Sequence, residues 1–138
     1  MHTVRKGDIA VLKVAVALIE RGDSVLKPMS ENERYDLAVD RGGKLYRVQV
    51  KTSRYRNGAV VFNTCSSLAH RGGPRRPYTS NEIEAFGVYC PQLGTVYLVP
   101  FERITGHAVQ ALRVSAAKNK QSKGVLLAAD FECGRLAQ

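Results

Sequence analysis

The chain has 138 residues, the length of one domain, and its hydrophobic fraction of 44% is enough for a core. Its formal net charge of +9 favours a polyanionic partner, of which nucleic acid is the commonest. No apolar run approaches the ~20 residues of a membrane-spanning helix, and three scattered cysteines fit neither a disulfide framework nor a cysteine-based zinc site. We therefore expect a single domain over residues 1–138, with reduced thiols, in the cytoplasm and without a membrane partner.

The first element along the chain is a helix predicted over residues 6–21. It is apolar almost all round, and its polar stripe consists of Lys6, Lys13 and Glu20, which are seven residues apart. A helix with this pattern is buried on most sides. We therefore expect it to pack against a sheet and against a second subunit, and Gly22 to end it.

A β-hairpin is predicted next, over residues 34–53, with a glycine turn at residues 42–43. Side chains alternate along a strand, so Gln49 and Lys51 project from one face. Folding at the glycines brings Asp36, near the start of the first strand, alongside them. An acid, an amide and a lysine in one place can hold a divalent cation and steady a reacting phosphate. The alternative interpretation is that they are ordinary solvated residues at strand ends.

Basic residues cluster in three later segments. The first is a turn at residues 53–58, where Asn57-Gly58 predicts a second hairpin with a strand at residues 59–63. The second is an irregular segment rich in Gly and Pro at residues 70–78, and the third is the tail at residues 118–124. Such residues either contact a phosphate backbone or serve solubility alone. The candidate DNA-binding residues are Arg54, Tyr55, Arg56, Arg71, Arg75, Arg76, Lys118 and Lys120.

The second half of the chain continues with two strands, predicted over residues 85–90 and 95–99, that read as the centre of a sheet. A helix is expected over residues 106–114. An apolar patch at residues 125–131 is expected to dock on the sheet or on a partner subunit.

Asp36 followed thirteen residues later by Gln49-Val50-Lys51 resembles the motif of the PD-(D/E)XK nuclease superfamily, with Gln in the second acidic position. The segments K-G-D-I-A, E-R-Y-D-L-A-V-D, Y-R-V-Q-V-K-T, F-G-V-Y-C-P and V-Y-L-V-P follow in order between residues 6 and 104. Together they resemble the homing endonucleases encoded in bacterial group I introns. The resemblance implies an α/β fold, with a mixed β-sheet core flanked by helices.

The resemblance also implies an endodeoxyribonuclease that hydrolyses phosphodiester bonds in double-stranded DNA with Mg²⁺ or Mn²⁺. The catalytic positions would be Asp36, Gln49, Lys51 and the place of Val11. Asp36, Gln49 and the backbone carbonyl of Val50 would hold the metal, and Lys51 would polarise the phosphate or the attacking water. A long specific site read by so small a domain implies a homo-oligomer, either a dimer or a tetramer.

Val11 departs from the family pattern, because the first helix of these proteins usually supplies a glutamate at this place. Without that carboxylate we expect weak metal binding, with cleavage slow or absent while DNA binding survives. Asp8 is a helix acid one turn away that can substitute, although a first-turn acid also suits the helix dipole. Three other functions stay open: a junction-resolving or repair nuclease, a non-catalytic nucleic-acid-binding module, and a basic toxin or ribosome-associated protein.

Overall fold

The computed structural model describes residues 2–66, 75–115 and 124–135. These residues form one α-helix, α1 (Thr3–Glu20), twelve β-strands, and 3₁₀ turns at Phe101–Arg103 and Ala128–Phe131. The strands are β1 (Ser24–Leu26), β2 (Leu37–Arg41), β3 (Lys44–Thr52), β4 (Arg54–Arg56), β5 (Ala59–Asn63), β6 (Cys65–Ser66), β7 (Arg76–Pro77), β8 (Ala85–Cys90), β9 (Thr95–Pro100), β10 (Val109–Arg113), β11 (Leu126–Leu127) and β12 (Glu132–Arg135). Within the described ranges, no helix has the length and apolarity needed to cross a membrane.

The main sheet has six strands in the order β1-β2-β3-β8-β9-β12. β3 and β8 run parallel while their other neighbours pair antiparallel, so the sheet is mixed. Helix α1 covers one face of it, where Val14 and Leu18 pack with Val48 and Val96 in a buried cluster. At Gly87 the contact is so close that an added Cβ would lie 2.7 Å from a Val14 methyl carbon. The predicted α/β class with a mixed sheet is confirmed.

A second sheet, in the order β11-β10-β5-β4, lies across the opposite face of the main sheet. Its apolar side chains, such as Phe62 and Leu112, share a core cluster with Phe86 and Val88 of β8. The alternation along each central strand thus serves two layers, since neighbouring side chains point to the helix and to the second sheet in turn. Lys51 follows the same rule and points away from Val50 and the helix, toward strand β6, where it donates to the Cys65 carbonyl.

The helix predicted over residues 106–114 is wrong, because these residues contain strand β10. Gln110 and Leu112 are buried while Val109 and Ala111 are exposed, which is the period of two that a strand requires. β10 pairs antiparallel with β5, fifty residues earlier in the chain. A pairing partner this far away in the chain cannot be inferred from the local pattern of a short apolar segment.

The expectation that the first helix is buried on most sides is also wrong for the single chain. Val4, Leu12 and Ile19 are 63%, 65% and 57% exposed, although Ala10 and Val14 on the other side are buried. The predicted docking of residues 125–131 on the sheet is met, because Leu126 and Phe131 lie in the core cluster between the two sheets.

Candidate active site

The hairpin of β2 and β3 holds Asp36 against the Gln49-Val50-Lys51 segment. Its turn uses Gly42 and Gly43 with φ of 62° and 88°, a region that glycine occupies without strain. The register pairs Leu37 with Val48. One residue earlier, the Asp36 amide donates to the Val48 carbonyl at 2.9 Å, and its Oδ2 accepts from the Val50 amide at 2.9 Å.

Gln49 is anchored to the chain just before Asp36. Its Nε2 donates to the backbone carbonyl of Arg34 at 2.6 Å. This bond uses the nitrogen of the side-chain amide, so the Oε1 oxygen keeps its lone pairs for another partner. The structure therefore places Gln49 beside the entry to β2, with its side-chain nitrogen engaged by Arg34.

Lys51 lies on the same strand with its ammonium half-buried. Its Nζ donates to the carbonyl of Cys65 at 3.1 Å and to the hydroxyl of Tyr78 at 3.3 Å. Burial lowers the pKa of Lys51, and the negative charge of Asp36 partly offsets that effect. Asp36 and Lys51 are therefore close enough for the charge of each to affect the pKa of the other.

Burial acts on Asp36 in the opposite direction. It raises the pKa of the Asp36 carboxyl, while the Val50 amide bond and the charges of Lys51 and Lys27 oppose the increase. A partly desolvated carboxylate with one oxygen already hydrogen-bonded is stabilised in its ionised form by a cation at the other oxygen.

A cleft of about 500 Å³ opens beside these residues, between the first turns of α1, the start of β2 and the last residues of β3. A second cavity of about 580 Å³ adjoins it and shares Asp8, Val11 and Asp36 with it. The wall of the first is formed by Thr3, Lys6, Gly7, Asp8, Ala10, Val11, Asp36, Val50, Lys51 and Thr52. Val11 therefore lies in the wall of the cleft that Asp36 and Lys51 line.

Oxygen donors that could hold a cation lie in this cleft and beside it. Mg²⁺ prefers oxygen ligands and keeps several waters. Asp36 lines the cleft with its carboxylate, whereas Gln49, bonded to the Arg34 carbonyl, carries its amide oxygen beside the cleft and not in its wall. Across residues 2–66, 75–115 and 124–135, no three His, Cys, Asp or Glu residues come together as a metal-binding group. The acids in the wall of the cleft are Asp8 and Asp36, and Val11 and Gln49 add no charge to it.

Arg34 and Tyr78 join the site, and the sequence did not single out either residue. The Arg34 guanidinium lies 4.0 Å from the centroid of the Tyr78 ring, and Lys51 Nζ lies 5.0 Å from the same ring. The Gly and Pro content of residues 70–78 predicts an irregular segment, and nothing in that segment marks Tyr78 as buried. The Arg76–Pro77 strand pairs with Cys65–Ser66 and brings Tyr78 to Lys51.

The hairpin turn predicted at Asn57-Gly58, between β4 and β5, is present, with Asn57 at φ 52° and Gly58 at φ 77°. Residues 54–56, predicted as part of a turn, instead form strand β4 at the edge of the second sheet, paired with β5. The exposed candidates are Arg54, Tyr55, Arg56, Arg75 and Arg76. The remaining candidates, Arg71, Lys118 and Lys120, lie outside the described residues.

The pKa of Asp36 leads to a prediction about stability. A carboxyl with a raised native pKa binds its proton more tightly in the folded state, so its ionisation destabilises the fold above the ordinary value of 3.8. We expect Asp36→Asn, whose amide oxygen can still accept from Val50, to increase the free energy of unfolding at pH 7. The gain should shrink as the pH falls toward 3.8. Urea unfolding at several pH values measures this, and a gain independent of pH would contradict it.

Comparison with known proteins agrees with this geometry. The family model for PD-(D/E)XK endonucleases matches residues 1–134. Seven chains of solved structures match, and one of them is the bacterial homing endonuclease I-Ssp6803I. It is 26% identical, with a TM-score of 0.77, over 96% of this chain and 89% of its own. A search of curated proteins finds no significant match. The chain belongs to the PD-(D/E)XK endonuclease family.

Proposed function

We propose that the protein is a metal-dependent, sequence-specific endonuclease of the homing type that hydrolyses phosphodiester bonds in double-stranded DNA. The observation that carries this proposal is the bond from the Val50 amide to the Asp36 carboxylate. It holds the acid beside Lys51 at a cleft open to a substrate. Family membership and the likeness to a bacterial homing endonuclease support the same reaction class and substrate.

Hydrolysis of a phosphodiester requires a deprotonated water and stabilisation of charge on the phosphate oxygens. Mg²⁺ or Mn²⁺ would be held by Asp36, the Gln49 amide oxygen and the Val50 carbonyl, and would supply Lewis-acid chemistry when bound. The Lys51 ammonium would stabilise negative charge as it develops on the phosphate. One positioned charge of this kind changes a rate by about 10²–10³. The low charge of the donor set makes the metal the weakest part of this site.

Arginines outside the cleft would hold the duplex. Arg54 and Arg56 project from an edge strand, and an exposed, basic two-stranded ribbon suits a DNA groove or backbone. Arg75 and Arg76 are also exposed. Contacts of this kind release condensed cations, so DNA affinity should fall steeply with salt.

Val11 supports a reduced rate of cleavage in this chain. Its side chain is apolar and lines the cleft where a further carboxylate would add both charge and a ligand. For the same reason a non-catalytic DNA-binding module is the second candidate function. In that case Asp36 and Lys51 would only stabilise the fold, and no divalent cation would promote cutting.

The outer face of α1 supports assembly into a dimer or tetramer. Val4, Leu12 and Ile19 are exposed on one helix, which is costly for a monomer in water. Two subunits would also provide one site for each DNA strand. Light scattering measures the subunit count. The free cysteines, two of them buried, support a reducing compartment such as the cytoplasm.

The test uses a duplex selected for binding to the purified chain from a randomised library. The chain and its Val11→Glu variant are incubated with this duplex and either Mg²⁺, Mn²⁺ or EDTA. We expect cutting at a fixed position with the divalent cations, faster for Val11→Glu, and none in EDTA. Cutting that survives EDTA, or no cutting by either protein, would reject the proposed function. A four-way junction and an RNA of the same sequence show whether the substrate class is correct.

A further inference from the structure

We propose that Tyr78 is a positioning residue that fixes the ammonium of Lys51 for the reaction. The inference rests on the proposed function, because it concerns the lysine of that site. Tyr78 lies outside the β2–β3 hairpin, and the pairing of β6 with β7 places it next to Lys51. Its grounds are the hydrogen bonds and ring contacts around Lys51 Nζ.

The Lys51 ammonium has three N–H donors. One goes to the Cys65 carbonyl at 3.1 Å and one to the Tyr78 hydroxyl at 3.3 Å. Cys65 belongs to the β6–β7 ribbon, where it pairs with Pro77, and Tyr78 directly follows Pro77. Two bonds to the ribbon fix the direction of the Nζ group and leave one N–H for a phosphate oxygen.

Tyr78 can serve as a fixed acceptor because its own position is determined by packing. Its side chain is 7% exposed, and its ring meets Phe86 edge-on, with centroids 5.6 Å apart at 84°. On this ring also lie the cations of Arg34, at 4.0 Å, and Lys51, at 5.0 Å. A ring with a negative face attracts both.

Arg34 is in turn held on three sides. It donates to Ser66 Oγ at 2.6 Å and to the Pro77 carbonyl at 2.8 Å, and it pairs with Glu82 at 3.1 Å. Glu82 is itself fixed in a tight turn, where its carboxylate accepts from the Thr79 amide at 3.0 Å. The Arg34 side chain therefore ties the strand entry before Asp36 to the ribbon that holds Tyr78.

Such support matters because a lysine side chain is a flexible four-carbon stem. Catalytic groups act well only when held within about 0.5 Å of the productive position. A phenol that accepts from the ammonium, and is itself locked by Phe86 and Arg34, provides that restraint without adding charge at the phosphate.

The first test reads the position of Lys51 directly, without requiring cleavage. In ¹H–¹⁵N spectra of lysine ammonium groups, the Lys51 signal is identified as the one lost in Lys51→Met. We expect Tyr78→Phe, which retains the ring, to speed hydrogen exchange of that signal by about tenfold, the effect of one lost hydrogen bond to a charged group. The control is Tyr46→Phe, because the Tyr46 hydroxyl also accepts from a cation, Arg21, at 2.7 Å. It should leave the Lys51 signal unchanged.

The second test separates cleavage from binding. In the Val11→Glu chain, Tyr78→Phe should slow single-turnover cleavage of the selected duplex by about tenfold, with the duplex Kd changed less than about twofold. Tyr46→Phe should alter neither quantity. A merely structural role of Tyr78 would instead weaken DNA binding and thermal stability together.

The outcomes distinguish this inference from the function on which it rests. Unchanged ammonium exchange in Tyr78→Phe would overturn the inference, and so would an unchanged cleavage rate. If the Val11→Glu chain cuts nothing, the proposed function fails, while the exchange measurement still decides whether Tyr78 restrains Lys51.

Discussion

Val11→Glu is expected to increase both metal affinity and cleavage, each by roughly a hundredfold or more. Val11 lines the cleft together with Asp36 and Lys51. A glutamate there adds a hard oxygen ligand and one negative charge to a site that has little of either. The same charge should attract the cation before DNA arrives, so the gain in affinity should be visible without substrate.

Calorimetric titration with Mn²⁺ and single-turnover cleavage of the selected duplex measure the two effects. The matched control is Leu45→Glu, which adds the same charge near the other end of β3, at a side chain that is 67% exposed. The control should bind Mn²⁺ no better than the native chain. Equally fast cutting by the native and Val11→Glu chains would show that position 11 does not limit the reaction.

Lys51→Met in the Val11→Glu chain should reduce cleavage by about a thousandfold, while the duplex Kd changes less than about threefold. The reason is that the half-buried ammonium acts at one phosphate, whereas the many exposed arginines supply most of the affinity. Methionine preserves the apolar stem, so Tyr78 and Cys65 lose a donor but little packing.

The control for this change is Lys44→Met, the same substitution at the exposed start of β3. It should cut at the unmodified rate. Gel shifts at two salt concentrations report binding, and quenched-flow cleavage reports the chemical step. If Lys51→Met and Lys44→Met cut equally well, Lys51 has no catalytic role and its contacts are structural.

The hairpin that carries the site could be read from sequence because its signals are local. Gly42 and Gly43 specify the turn, and the alternation after them places Gln49 and Lys51 on one face. Once the turn is fixed, the register follows, and it brings Asp36 to Val50. The family motif then gave the roles that such a trio would take, which residue types alone could not.

The rest of the site depends on contacts between distant parts of the chain. Tyr78 reaches Lys51 across 27 residues, and Arg34 reaches Pro77 across 43. Neither contact leaves a periodic pattern in the sequence. The sequence predicts a helix at β10 for the same reason, since its short apolar run becomes a strand only when β5 offers an edge for pairing.

The low negative charge of the cleft limits how strongly the free protein can hold a cation. Asp36 is short of solvation, and Lys51 beside it lowers the local negative potential. Lys51 opposes a cation in the free protein, and the negative charge of a bound phosphate would offset that opposition, so a cation that arrives together with the phosphate is favoured. The free chain should therefore bind divalent ions weakly, and the bound duplex should strengthen that binding.

The most direct measurement is the anomalous scattering of Mn²⁺ in crystals of the chain with its selected duplex. We predict one peak at the Asp36 carboxylate, within ligand distance of the Gln49 amide oxygen, and a phosphate oxygen on its far side. A duplex seated in the cleft with no peak at Asp36, or with manganese bound elsewhere in a chain that still cuts, would contradict this account.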